Sequence, residues 1–303
     1  MHEPRGKRAT QMCSVVGGWK VEMSTVVEQF SQPLAFHGEG PVWDASWAEL
    51  RFVDILAGDV VALDRGGALR ERLHVGTVAA AFRPRRGGGM VVAVERGFAL
   101  VDCDGTIETL PELWGDRRVR MNDGATDHEG RFYCGSMAYD ATPGAGRLYR
   151  FDPDRRVEVV LQPVTISNGL AWSPDLQTAY YVDSLTYRID AFDADLTGRR
   201  PFAAVPEQRG MPDGLTVDRE GGVWVALWGG SAVHRYAPDG TLDTVLELPV
   251  TQVTACTFGG PELDELYITT SRQEVAEGEQ PAAGSVFRAR AGVTGMPVIT
   301  FAG

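Results

Sequence analysis

The chain has 303 residues, 41 acidic against 29 basic side chains, and a formal net charge of −12. Hydrophobic residues make up 44% and charged residues 23%, a balance typical of a soluble globular protein and not of a disordered chain. No window approaches the roughly 18 consecutive apolar residues of a membrane helix. The acidic balance disfavours a nucleic-acid partner, which requires a basic surface. We therefore expect neither a membrane nor a nucleic acid as partner.

The first 20 residues are polar, carry mixed charge and lack the apolar segment of a signal peptide, which predicts a flexible extension at 1–20 before one domain at 21–303. The cysteines are far apart in sequence, at Cys13, Cys103, Cys134 and Cys256. None has the C-x-x-C spacing of a redox or zinc motif. This usage predicts reduced, buried thiols and a cytoplasmic location.

An apolar run that ends in a turn recurs six times along the chain. From Asp64 in the first copy to Arg290 in the last is 226 residues over five steps, or about 45 per step. That period falls in the roughly 40–50 residue range of four-stranded propeller blades. The copies are Val60–Asp64, Phe98–Asp102, Leu148–Asp152, Ile189–Asp193, Val233–Ala237 and Val286–Arg290.

Two further strand types repeat in phase with the first. Both are rich in β-branched and aromatic residues and bounded by Gly, Pro, Asp and Asn, which is typical of strands. A β-sandwich or a pair of small barrels would not need a constant period, so the sequence predicts an all-β, six-bladed β-propeller in one domain. We expect a strand near 21–30 to complete the last blade and tie the ends of the ring together.

The innermost strands of a propeller line its central channel, and here each begins with a small residue that lets six backbones approach the axis. The preceding residue in each copy is expected at the channel mouth: Glu39, Val78, Asp123, Asn168, Asp213 and Thr254, with Asn122 one position earlier. Each Asn-Gly or Asp-Gly pair taken alone could be turn punctuation. The recurrence of acidic and amide oxygens at one register instead favours a site for a hard divalent cation.

Several motifs resemble the senescence marker protein/gluconolactonase family, also called regucalcin-like. The resemblance runs from about Phe36 to the C-terminus. It rests on Gly38–Trp43, Phe52–Ile55, Arg120–Gly124, Ser167–Asp175, Pro212–Leu215, Cys256–Gly260 and Phe301–Gly303. It implies a six-bladed propeller lactonase with one divalent ion on the axis.

Position by position, the resemblance also implies roles for individual side chains. Glu39, Asn168 and Asp213 match the family's metal ligands, and Asp213 also matches its general base. Arg120 and Asn122 match the pair that contacts substrate. Asp140 falls where the family usually has a substrate-side glutamate, and its side chain is one methylene shorter.

The leading functional hypothesis is metal-dependent hydrolysis of a sugar lactone (an aldonolactone) to the aldonic acid. Calcium is the first candidate for the ion, with zinc, magnesium, manganese and iron left open. The absence of His and Cys from the ring argues against a dedicated zinc cage. One alternative is hydrolysis of another ester or an organophosphate at the same site, and another is a non-catalytic calcium-binding propeller. The expected partner is a small-molecule lactone, and the expected state is a monomer or weak homo-oligomer.

Overall fold

The computed structural model describes residues 26–303, which form 24 β-strands in six four-stranded antiparallel sheets. The helical segments in this range are single 3-10 turns at Ile55–Ala57, Ser184–Thr186 and Glu207–Arg209. In the described part of the chain, no helix is long and apolar enough to cross a membrane. The prediction of an all-β, six-bladed propeller is confirmed.

We number the sheets as blades 1 to 6 in chain order, and within each blade the strands run from the channel outwards. Blade 1 contains β2 (Gly38–Asp44), β3 (Glu49–Asp54), β4 (Asp59–Leu63) and β5 (Leu69–His74). Blade 2 contains β6 (Ala79–Pro84), β7 (Met90–Val94), β8 (Gly97–Val101) and β9 (Ile107–Thr109). Blade 3 contains β10 (Val119–Thr126), β11 (Phe132–Ala138), β12 (Gly146–Phe151) and β13 (Val157–Val164).

The second half of the ring repeats this order. Blade 4 contains β14 (Ser167–Trp172), β15 (Thr178–Asp183), β16 (Arg188–Asp193) and β17 (Arg200–Ala204). Blade 5 contains β18 (Met211–Val217), β19 (Val223–Trp228), β20 (Ala232–Tyr236) and β21 (Leu242–Glu247). Blade 6 contains β22 (Val253–Gly259), β23 (Glu265–Thr270), β24 (Phe287–Arg290) and, outermost, β1 (Val27–Gln29).

Blade 6 closes the ring by joining both ends of the described chain. Strand β1 pairs with β24, with Val27 opposite Ala289 and Gln29 opposite Phe287. The inner strand of blade 6 also contacts that of blade 1, as the other neighbouring inner strands contact each other. The predicted closing strand is therefore present. Its first residues, 21–25, and the predicted extension at 1–20 lie outside the described residues.

Side chains are most buried in the inner strand of a blade and most exposed in its outer strand, and the outer strands are correspondingly more polar in sequence. All but the last residue of β2 are buried, whereas β5, the outer strand of the same blade, is almost wholly exposed. Neighbouring inner strands pack so closely that two of them require glycine. A Cβ on Gly169 would lie 2.6 Å from the Leu215 nitrogen, and one on Gly214 would lie 2.4 Å from the Ala255 Cβ.

The six inner strands all start at one end of the channel, which we call the upper face, and finish at the lower face. After β24, the C-terminal segment 291–303 crosses the lower face. Gly295 pairs with Asp218, just after β18, and Phe301 pairs with Arg85, just after β6. Phe301 is buried and stacks on Phe151 at a centroid distance of 5.2 Å. This segment thus links blades on opposite sides of the ring.

The prediction that the cysteines are buried holds for two of the three that the structure describes. Cys134 and Cys256 are buried, and all three are free thiols. Cys103 is exposed, because it lies in the turn between β8 and β9 and not within a strand. Cys13 lies outside the described residues.

Candidate active site

At the upper face, the first residues of four inner strands meet around a cavity of about 230 Å³. Glu39 comes from β2, Arg120 and Asn122 from β10, Asn168 from β14 and Asp213 from β18. All five side chains are buried. The structure therefore brings together five of the six site residues that the sequence predicts.

A β-bulge interrupts every inner strand at this level. The pairing register shifts between Glu39 and Val42, Ala79 and Ala81, Met121 and Gly124, Ser167 and Leu170, Pro212 and Leu215, and Val253 and Ala255. A bulge redirects a side chain out of the regular alternation of a strand. In four of these strands, the bulged stretch contains the acidic or amide residue of the predicted ring.

Aspartates in blades 1 and 4 position the segments that lead into the bulges. Asp54, at the end of β3, accepts hydrogen bonds from the backbone nitrogens of Phe36 and His37, both at 3.0 Å. In blade 4, Asp183 does the same for the nitrogens of Thr165 and Ile166, at 3.0 and 2.9 Å. These contacts fix the chain just before Glu39 and Asn168.

The carboxyl groups of Glu39 and Asp213 are neighbours, and the environment opposes the charge of both. Burial raises the pKa of Glu39 well above its usual value, and the nearby charges of Asp213 and Asp123 raise it further. Burial and Asp123 likewise raise the pKa of Asp213, although its contacts with the Glu39 and Asn168 side chains act in the opposite direction. Converging carboxylates of this kind are stabilised by a cation placed between them.

Asn168 supplies a third oxygen to this group. Its amide nitrogen donates to the Ser184 hydroxyl at 3.0 Å, which orients the side chain. Its Oδ1 atom is buried and has no hydrogen-bond partner within residues 26–303. A buried acceptor without a partner is costly. Two carboxylates and a free amide oxygen form a donor set that suits calcium, magnesium or manganese.

Other metal chemistries find less support in the described residues. No three His, Cys, Asp or Glu side chains form a metal-binding group there. His37 is close to Glu39 in sequence and lines the cavity, but its Nδ1 atom pairs with the Ser271 hydroxyl at 2.9 Å. Burial, together with the charge of Arg120, lowers the pKa of His37 to about 3, so its ring is neutral at physiological pH.

Arg120 and Asn122 form a fixed pair on one side of the cavity. The Arg120 Nη1 atom donates to Asn122 Oδ1 at 2.7 Å, and Asn122 Nδ2 donates to the Ser167 carbonyl at 2.9 Å. Tyr139 flanks the guanidinium at 5.7 Å from the ring centroid and donates its hydroxyl to Glu95 at 2.8 Å. Burial and this Glu95 contact raise the pKa of Tyr139 to about 12, which keeps the phenol neutral.

Asp140 and Asp123 lie away from the cavity that the other residues share. Asp140 is exposed beside the lining residues Tyr139 and Ala141, and its carboxylate accepts hydrogen bonds from the backbone and hydroxyl of Thr142 at 3.0 and 2.6 Å. Asp123 is buried but does not line the cavity; burial raises its pKa and the charge of Arg83 opposes that rise.

The repeat does not identify every lining residue. Tyr139 and Trp228 lie at the far ends of second strands or just beyond them, outside the predicted ring register. His37 and Trp228 pack edge to face at 5.6 Å. Both follow the second repeated register of their blade, and no feature of that register marks them as lining residues.

Comparison with known proteins agrees with this geometry. Residues 37–272 match the family described as SMP-30/Gluconolactonase/LRE-like region. Regucalcin of Bos taurus is 36% identical over 283 residues, covering 88% of this chain and 95% of that protein.

Two solved structures share the fold over nearly their whole length. A luciferin-regenerating enzyme superposes with a TM-score of 0.84 at 31% identity, covering 92% of this chain and all of that one. A calcium-binding protein, regucalcin, from Agrobacterium tumefaciens has a TM-score of 0.86 at 26% identity, covering 92% and 98%. The chain described here belongs to the SMP-30/gluconolactonase family.

Proposed function

We propose that this protein hydrolyses a sugar lactone to the open-chain sugar acid at the upper-face cavity, with the help of one divalent cation. The observation that carries the proposal is the convergence, beside a buried arginine, of two buried carboxylates and an Asn168 oxygen that has no hydrogen-bond partner among the described residues. The family supports a lactonase-like activity, because its description includes gluconolactonase.

Glu39, Asn168 and Asp213 would hold the cation. When bound, a divalent ion acts as a Lewis acid on a carbonyl oxygen and lowers the pKa of a coordinated water. Calcium is the first candidate, because all three protein donors are oxygens and because a structural relative is described as calcium-binding.

Asp213 is the proposed general base. A carboxylate has two oxygens, so Asp213 could help to hold the cation and still accept the proton of the attacking water. The water oxygen bonds to the lactone carbonyl carbon, and the ring carbon–oxygen bond breaks. The proton taken up by Asp213 then passes to the departing ring oxygen, which becomes a hydroxyl group. No atom beyond those of lactone and water is consumed.

Arg120 and Asn122 are proposed to position the substrate. The guanidinium keeps donors beyond those that bind Asn122 and the Met121 carbonyl, and its Nε atom is buried without a partner within the described residues. A lactone oxygen or hydroxyl is a suitable acceptor for it. Such contacts hold the carbonyl carbon in line with the water and contribute through orientation. Asp140 remains a proposed contact from the rim.

A pH-stat assay on five- and six-carbon aldonolactones tests the proposal, with an aryl ester and a phosphotriester in the same panel. We expect lactone hydrolysis that a chelator abolishes and added calcium or another divalent ion restores. Asp213→Asn should abolish turnover, whereas Asp239→Asn, the same change in the exposed β20–β21 turn, should not alter it.

Four results would contradict the proposal. Unchanged rates after chelation would exclude a role for a metal ion in the reaction. Near-normal turnover by Asp213→Asn would exclude Asp213 as the general base. Calcium binding without hydrolysis of any substrate in the panel would instead favour a calcium-binding propeller, and a preference for the phosphotriester would change the substrate class.

A further inference from the structure

The lower face of the propeller contains a second cavity, of about 320 Å³. It lies at the opposite ends of the inner strands from Glu39 and Asp213, and the C-terminal segment forms part of its wall. Most of its lining is apolar, including Trp43, Trp172, Leu215, Val217 and Phe258. Its volume is near the lower end of the roughly 300–1,000 Å³ range of small-molecule sites.

One positive charge faces this apolar space. The guanidinium of Arg83 donates to two backbone carbonyls, Phe82 and Gly124, both at 2.6 Å. Within residues 26–303 it makes no ion pair with a carboxylate, whereas Arg85, two residues later, pairs with Asp102 at 2.9 Å. Asp123 acts on Arg83 only through space. The remaining guanidinium donors are therefore available to an anion.

A second polar group in the same lining also lacks a partner. Thr126 is 4% exposed, and in the described part of the chain its hydroxyl oxygen has no hydrogen-bond partner. A hydroxyl can donate to an anionic oxygen, and a charge-assisted bond of this kind is stronger than a neutral one. Arg83 and Thr126 thus contribute two kinds of donor to the lining of one cavity.

We propose that the lower-face cavity binds a small organic monocarboxylate, with its carboxylate at Arg83 and Thr126 and its apolar body against the aromatic and aliphatic wall. A planar guanidinium matches the two oxygens of a carboxylate. A phosphate dianion would need more donors than one arginine and one hydroxyl supply. The apolar wall favours an aryl or alkyl body over a sugar.

Calorimetric titration of the full-length, chelator-treated protein with phenylacetate and hexanoate tests this site. We expect saturable binding of at least one of them, and at least about tenfold weaker binding of phenylacetamide, which keeps the shape but loses the charge. Arg83→Gln should weaken carboxylate binding by at least about tenfold and Thr126→Val by a smaller factor.

Matched variants separate this site from the rest of the protein. Arg86→Gln, the same change at an exposed neighbouring arginine, and Arg120→Gln at the upper face should both bind the carboxylate as the parent protein does. If Arg83→Gln does not fold, Ala171→Phe fills the cavity and leaves Arg83 in place, and it should abolish binding. Thermal unfolding of each variant confirms that it is folded.

The proposal is overturned if neither carboxylate saturates below about 10 mM, or if phenylacetamide binds as tightly as phenylacetate. It is also overturned if binding survives both Arg83→Gln and Ala171→Phe, or if Arg120→Gln abolishes it, because the upper cavity would then hold the probe.

Discussion

Replacing Glu39 by glutamine changes the charge at the upper end of the channel and almost nothing else in its shape. The carbonyl of the introduced side chain can still accept the Gly40 backbone hydrogen bond that Glu39 accepts at 2.6 Å, and its amide group can donate to Asp213. The contact with Asp213, which requires Glu39 to keep a proton at neutral pH, therefore becomes a hydrogen bond that requires none. In the metal-free protein this substitution should raise stability, although it removes a proposed metal ligand.

The size of the effect follows from the burial of Glu39, which is 4% exposed. Leaving a buried polar group without compensation costs about 1–3 kcal/mol, and more for a charged group. A gain of at least about 1 kcal/mol in the free energy of unfolding is therefore expected at neutral pH. Stability changes shift Tm by roughly 2–4 °C per kcal/mol in chains of about 150–250 residues, so a rise of a few degrees should be measurable.

Thermal unfolding with chelator and then with calcium gives the comparison. The parent protein should gain stability with calcium, by about 2.7 kcal/mol at a hundredfold excess over Kd, whereas Glu39→Gln should gain little. Glu49→Gln is the contrasting control, because Glu49 is equally buried but pairs with Arg51 and Arg70, each at 2.7 Å. That variant should lose stability.

The reasoning is refuted if Glu39→Gln lowers the Tm of the metal-free protein, or if calcium stabilises this variant as much as the parent. The first result would mean that Glu39 is compensated within the protein. The second would mean that Glu39 does not hold the ion.

Three further predictions follow from the same structure. Because burial raises the pKa values of Glu39 and Asp213, the folded metal-free protein keeps protons that the unfolded chain releases near pH 4. Its free energy of unfolding should therefore fall as the pH rises from there through the raised pKa values, which unfolding at several pH values measures. Calcium affinity should rise with pH, which calcium titration at the same pH values measures. Asp140→Ala should leave kcat unchanged and raise KM by no more than about fivefold, because an exposed carboxylate acts weakly through solvent; a loss of kcat would place it in the chemistry. Phe301→Ala should lower the free energy of unfolding by about 3–5 kcal/mol in urea denaturation, whereas Phe36→Ala, which is half-exposed, should have little effect.

The architecture was predictable because the repeated blades of a propeller give its sequence a regular period. Each blade buries its faces against its neighbours, so the same apolar registers recur at about 45 residues, and all three registers correspond to the first, second and third strands of the blades. The convergence of Glu39, Asn168 and Asp213 follows from the same repeat, because inner strands of a closed ring share one axis.

Other features depend on contacts that no repeat encodes. The orientation of Asp140 is set by the two hydrogen bonds that its carboxylate accepts from Thr142, and these compete with any substrate for the carboxylate. Arg83 is one side chain in one blade, and its guanidinium is held by hydrogen bonds to the Phe82 carbonyl and to the Gly124 carbonyl of the next blade. Cys103 is exposed because β8 ends at Val101, where the apolar run that the repeat defines gives way to the turn.

The pairing of β1 with β24 has a consequence for how the protein folds. Glu28 and Arg288 are opposite each other in the last blade, although 260 residues separate them in sequence. Contacts between such distant segments are slow to form because a very long loop must close first. During synthesis, blades 1 to 5 can form as they emerge from the ribosome, but β1 has no partner until almost the whole chain is made. Closure of the ring is therefore a late event in folding. Until then, β1 has an unpaired edge that can pair with the wrong strand.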